Sequence, residues 1–216
     1  MMRPITHDDD DRAALERARS LAIACTRGVL ETDAGAFRVR HVVDPETARI
    51  LISCDDPDLR DATEHVLCVP DDSFDALRIL LDCNDFDGRP ERLSDRHLAF
   101  HDARREPVWL LAEAVSGKTG EGVWSGDELL APDPIAGAET SILHRLNRDR
   151  SALADLVHAL SGTRPLDPTA VSACSIGAHV RATVGVIFFE WPRELTDPSS
   201  APAEVERLLD EHGSES

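Results

Sequence analysis

An arginine in the middle of an apolar helical stripe poses the first chemical problem in this chain. From Glu139 to about Leu160, Ile142, Leu146, Leu153, Val157 and Leu160 step by three, four and seven residues, the spacing of one helical face. Arg150 stands four residues after Leu146 and three before Leu153, which places it on that stripe. A permanent cation there needs a carboxylate, a bound anion or an edge where its head reaches water. The histidines offer less. His97 and His101 share one face of an expected strand over Arg96–His101, about 13 Å apart, too far for one metal but suited to lining a groove. His144 and His158 stand nearly four helical turns apart, and His41 and His65 have no local partner. No pair has the helical i, i+4 spacing of a metal motif, so no dedicated metal site is expected. The five cysteines (Cys25, Cys54, Cys68, Cys83 and Cys174) are widely spaced, without C-x-x-C, and suit structural thiols. Gly117-Lys118-Thr119 resembles the end of a P-loop, but Ala112 occupies the position of the loop's first glycine, and a strand rather than a helix follows. A Gly-x-Ser-x-Gly elbow is missing, and the chain contains no tyrosine.

The 216 residues are enough for one large domain or two small ones with a real core. Hydrophobic residues make up 42% and charged residues 30%, the balance of a globular chain. The longest purely apolar run, Val186–Phe189, is far too short for a bilayer span of about 20 residues. The first residues are acidic and lack a signal-peptide core, so a cytoplasmic location is expected. A net charge of −18 argues against nucleic acid and against an anionic membrane surface.

The elements that must position these residues follow from periodicity and turn signals. A first helix is expected after a cap at Asp10 or Asp11. Strands follow at Ala24–Glu31, Phe37–Val43 and Arg49–Cys54, with turns at Asp33–Gly35 and Asp44-Pro45. A helical turn is placed near Leu59–His65. Further strands are expected at Leu77–Cys83 (ended by Asn84–Gly88), Arg96–His101, Val108–Val115 and Gly122–Trp124. Six or more antiparallel strands in about 115 residues cannot bury their apolar faces as an open sheet, so closure into a barrel is expected. Ala131-Pro-Asp-Pro134 reads as a hinge, with Asp133 able to cap a helix that has Pro134 at its first position. The long helix then ends at Ser161-Gly162. Strands Ala170–Ser175, His179–Val184 and Val186–Trp191 and a last helix, Pro202–His212, complete a second module.

In this order the parts resemble a known family. Asp133-Pro134, then Arg145-Leu-Asn147-Arg-Asp-Arg150, Ser175-Ile-Gly177 with Val180-Arg181, and Phe188-Phe-Glu-Trp-Pro192 follow the C-terminal domain of haem-utilisation (HugZ-like) proteins. In that family the domain succeeds a six-stranded, FMN-binding split barrel of the pyridoxamine-phosphate-oxidase type. The chain looks most like a divergent actinobacterial branch. The resemblance implies an α+β protein with a split barrel in residues 1–130 and a small helix–sheet–helix domain in residues 131–216. It also implies a homodimer with a ligand cleft at the interface. Haem or FMN is the cofactor it implies, with Arg150, Arg145, His144 and Asn147 facing the ligand. Phosphate binding in such barrels draws on clustered Arg, Lys, Ser and Thr. The best local cluster here is Arg38, Arg40 and His41, with Arg38 and Arg40 on one strand face. A solvated strand face is the commoner role for such a pair.

The departures from the family pattern bear on function. Both motif histidines are arginine here, Arg145 and Arg150, and a guanidinium offers iron no lone pair. A haem role would then need another histidine, such as His144. Two function classes remain. In one, a haem- or flavin-binding oxidoreductase holds its cofactor at a dimer cleft, and Arg150 pairs with a propionate or phosphate. In the other, the barrel has lost its cofactor and persists as a binding or regulatory dimer. Arg150 would then bridge to a carboxylate such as Asp149, Glu139 or one on the partner chain. The lost histidines, the lack of a basic cluster and the acidic charge favour the second; a small anionic ligand is left open as a partner, and so is catalysis.

Overall fold

The computed structural model describes residues 7–71, 75–85, 91–101 and 107–213. Its contacts divide the chain into two units, one of Met1–His97 with Ala103–Ala131, the other of Leu98–Asp102 with Pro132–Ser216.

The first unit is an antiparallel barrel. Helix α1 (His7–Ala24) leads into β1 (Arg27–Thr32), β2 (Gly35–Val43) and β3 (Ile50–Cys54). Beyond a 3-10 turn at Pro57–Asp61 come β4 (His65–Val69), β5 (Leu77–Asp85), α2 (Glu91–Phe100), β6 (Val108–Lys118), β7 (Val123–Ser125) and α3 (Gly126–Leu129). The sheet order is β3-β2-β1-β4-β5-β6-β7, and β3 also pairs with β6, so six strands close on themselves with β7 appended. Alternation sends Leu30, Phe37, Val39, Ile50, Ile52, Leu67, Ile79, Leu110 and Ala112 inward, where Ala18 and Ala22 of α1, Leu59 and Leu129 complete the core. Closure leaves the barrel no open edge at β3 or β6, which removes the aggregation hazard of an unpaired strand.

The second unit is a three-stranded sheet, β8 (Thr169–Ala173), β9 (Gly177–Ala182) and β10 (Gly185–Glu190), in the order β10-β9-β8. Helices α4 (Glu139–Leu146), α5 (Arg150–Ser161) and α6 (Ala201–His212) pack with it around Ile142, Leu146, Leu153, Val157, Val180, Phe189 and Val205. The protein is thus α+β, a split barrel with helices at the C-terminal end. No helix among the described residues is long and apolar enough to cross a membrane.

Several local expectations change. Arg96–His101 is not a strand: α2 covers it to Phe100. Its alternation of apolar and polar residues is too short to distinguish from one helical turn. The sixth barrel strand is instead β4, whose short apolar run the helical turn expected at Leu59–His65 had displaced. Asp10 and Asp11 lie inside α1, which also carries on to Ala24. Strand β6 runs through Gly117-Lys118, and the reversal falls after it, where Thr119 N donates to Gly122 O. Strand β5 continues to Asp85, and the rest of the stop expected at Asn84–Gly88 lies outside the described residues.

The helix expected from Glu139 to Leu160 is broken. Asn147, Arg148 and Asp149 separate α4 from α5, and Asp149 caps α5 by accepting from Ser151 N at 2.8 Å and Ala152 N at 3.2 Å. The break resets the helical phase. Arg150 becomes the first residue of a new helix instead of an interruption in an apolar stripe.

Candidate functional site

The four candidates on the C-terminal helices are engaged within their own unit or open to solvent. Arg150 is exposed, with 61% of its side chain open to solvent, and pairs with Asp167. That carboxylate offsets a cation standing at a helix N-terminus, where the macrodipole is unfavourable to it. Arg145 donates to Glu206 of α6 at 2.8 Å, and Arg148 pairs with the same carboxylate. These hydrogen bonds hold the Glu206 carboxyl below its ordinary value. Asn147 binds the β8 backbone in both directions: its Nδ2 donates to Ala170 O at 2.9 Å, and its Oδ1 accepts from Ala170 N at 2.8 Å. Glu139 accepts from Ala173 N at 3.1 Å on the same strand. Together they pair an edge strand that would otherwise present open backbone groups. His144 lies exposed on α4. Arg150 stands where the resemblance puts an iron ligand, and a guanidinium paired with a carboxylate cannot supply one. Arg150 therefore cannot be an iron ligand, and His144 is the imidazole left on α4.

The two barrel candidates have a different setting. Phe37 and Val39 point into the core, so Arg38 and Arg40 face outward from β2. They line a cavity of about 230 Å³ together with Arg27, Gly28, Val39, Ser53, Asp55 and Asp71. The register explains the gathering. Arg27 of β1 lies opposite Arg40, Arg40 opposite Ser53 of β3, and Ser53 opposite Trp109 of β6, one row across four strands. Arg40 approaches Asp55 at 3.6 Å. Arg27 and Arg38 form no ion pair among the described residues. A guanidinium is a permanent cation with five donors, and three in one cavity make an anion site by charge and by geometry.

Helix α2 closes one side of this row. His97 Nε2 lies 2.8 Å from Ser53 Oγ, and its ring meets Trp109 edge-on with centroids 4.8 Å apart. Ser53 is only 2% exposed, and this contact engages its hydroxyl. His97 therefore acts as a clip between helix and barrel instead of lining a groove with His101, which belongs to the other unit. Neither Arg27 nor Ser53 was singled out by sequence. The signal was present, because counting outward from the turns at Asp33–Gly35 and Asp44-Pro45 brings Arg27, Arg40 and Ser53 into register.

The cysteines are thiols without disulfide partners. Burial pushes Cys174 and Cys83 up to about 12, so neither is a thiolate near neutral pH. Among the described residues no three His, Cys, Asp or Glu side chains group as a metal site.

No family model and no curated protein matches this sequence. Among solved structures, the chain is similar to a protein of unknown function from Agrobacterium tumefaciens, with 14% identity, a TM-score of 0.64 and 98% of each chain covered. At that identity the likeness speaks for the fold alone. A haem-binding protein from Mycobacterium smegmatis aligns over 100% of both chains at 16% identity, with a TM-score of 0.42. That score is too low to bear on this chain's fold or ligand.

Proposed function

We propose that this chain is a non-catalytic binding protein that holds a small phosphate-bearing anion on the outer face of its barrel. It would be a divergent relative of the FMN- and haem-handling split-barrel proteins that its sequence resembles. One observation carries the proposal: Arg27, Arg38 and Arg40 share a cavity, and two of the three have no ion pair among the described residues. The C-terminal arginines support it by contrast, since Glu206 and Asp167 already engage them. FMN is the cofactor whose end group these residues would suit, with Arg27, Arg38 and Arg40 around its phosphate. The proposal includes a cytoplasmic homodimer that binds neither nucleic acid nor membrane, for which the sequence resemblance and the net charge of −18 are the support.

Calorimetric titration with inorganic phosphate and with FMN tests the reading, with light scattering on the same samples at micromolar concentration. At least one of the two ligands is expected to bind. Arg38→Ala and Arg40→Ala should each weaken binding about tenfold or more, as expected for loss of a charge-assisted hydrogen bond. Arg150→Ala should leave it unchanged. Binding of neither ligand would overturn the anion-site reading, and a monomer would remove the dimer from it.

A further inference from the structure

The cavity that gathers three arginines also holds two carboxylates, Asp55 and Asp71. An anion site gains nothing in attraction from carboxylates, so their presence in the same cavity needs a chemical reason. Asp55 has a local one, because it lies 3.6 Å from Arg40 and partly offsets that charge. Asp71 has no ion pair among the described residues and is exposed at the cavity. An ionised carboxylate can only accept hydrogen bonds. Facing a bound oxyanion, it repels every oxygen that carries no proton and accepts from one that does.

We infer that this cavity selects oxyanions that still carry a proton, namely inorganic phosphate, and phosphate monoesters below about pH 6, and rejects fully ionised tetrahedral anions such as sulfate. The inference rests on the anion-site reading above and names its ligand class. The arginines supply donors to the unprotonated oxygens, and Asp71 accepts the remaining P–O–H. Sulfate has the same shape and a similar size, but it has no proton to give. Placed in the same cavity, it leaves the Asp71 carboxylate facing a bare anionic oxygen. A site built around one hydrogen bond discriminates strongly against an analogue that cannot make it. Asp71 is open to water, so the discrimination is moderated by solvent screening. A phosphate monoester loses its second proton at a pKa of about 6, so monoesters should bind best on the acid side of neutrality, whereas inorganic phosphate retains a P–O–H above neutrality and keeps its preference over sulfate.

Calorimetric titration of the full chain with sodium phosphate and with sodium sulfate, at matched ionic strength and about pH 6, separates the outcomes. Phosphate is expected to bind about tenfold or more tightly than sulfate, the effect of one charge-assisted hydrogen bond. Asp71→Asn replaces the acceptor with an amide that can donate, and should bring sulfate to within about threefold of phosphate. Asp55→Asn should change the ratio less, because Arg40 already engages that carboxylate. Both positions are exposed, so folding is not at stake, and circular dichroism checks it. Equal affinity for the two anions in the unaltered chain, with Arg38→Ala weakening both, would overturn the selectivity and leave the anion site standing. An unchanged preference in Asp71→Asn would also overturn the role given to Asp71. Binding of neither anion would remove the anion site itself.

Discussion

At the scale of single residues, some of the well-bonded polar side chains hold backbone. Asp33 is one case. Its carboxylate accepts from Thr63 N and Thr63 Oγ1, both at 2.9 Å, and from Glu64 N at 3.3 Å, tying the β1–β2 turn to the segment that enters β4. The hydrogen bonds from Thr63, and then that from Glu64, hold its carboxyl below its ordinary value of 3.8. A carboxyl depressed in the folded state binds its proton less readily than in the unfolded chain. Its contribution is therefore complete above the unfolded value and is lost as pH falls below it, through the lower folded value. Asp33→Asn should lower the melting temperature at neutral pH. The gap between variant and parent should close as the pH is taken from about 5 down through the carboxylate range. A constant gap down to the acid transition would mean that Asp33 acts through shape and not through charge. The C-terminal arginines instead engage carboxylates, for residue type alone advertised a ligand while the partners Asp167 and Glu206 lay 17 and 61 residues away in sequence.

At the scale of elements, the break between α4 and α5 decides what that helix pair can do. A continuous helix would have carried Arg150 into the core-facing stripe. Asp149 as a cap instead starts a second helix and frees Asn147 to pair with β8. Asn147→Ala removes the side-chain partner of both Ala170 backbone groups, and should cost about 2 kcal/mol in urea unfolding, with the slope unchanged. Asn147→Asp keeps the acceptor for Ala170 N but loses the donor, so it should fall between Asn147→Ala and the parent. A loss below about 0.5 kcal/mol for Asn147→Ala would show that water replaces the side chain. Much of this architecture is legible in sequence. The turn residues Asp33–Gly35 and Asp44-Pro45, the alternation in β2, and Gly162 after α5 mark their elements correctly. Two kinds of element were not legible. Arg96–His101 and His65–Val69 are short apolar segments in which period two and period 3.6 cannot be told apart, and only barrel closure decides between them. The helix break was hidden because Asn147 and Asp149 also tolerate helix interiors, and the apolar spacing across them happens to stay in step. The site was half legible: Arg38 and Arg40 share a strand face visible from alternation, while Arg27, Ser53, Asp55 and Asp71 join them only through cross-strand register and loop return.

For the whole molecule, charge is the property that sequence states most fully, and it has a measurable consequence. The chain has 41 acidic and 23 basic residues outside histidine, a net charge of −18. Two electrostatic effects oppose one another. Exposed pairs such as Arg12–Glu16, Arg17–Glu121 and Arg49–Glu113 attract at contact distances near 3 Å, each contributing about 0–1 kcal/mol. The excess of like charge repels over the whole surface, mostly across separations longer than a Debye length of about 10 Å at 0.1 M salt. Added salt therefore removes more of the repulsion than of the short-range attraction. Raising sodium chloride from about 10 mM to about 0.3 M should increase the melting temperature by a few degrees, the shift that about 1 kcal/mol produces in a chain of this size. The increase should level off once the screening length falls below the spacing between neighbouring carboxylates. Sodium chloride and choline chloride should act alike, because screening depends on ionic strength and not on the cation. A fall in melting temperature with salt would show that the surface pairs outweigh the net repulsion. A response confined to sodium would indicate a specific cation site.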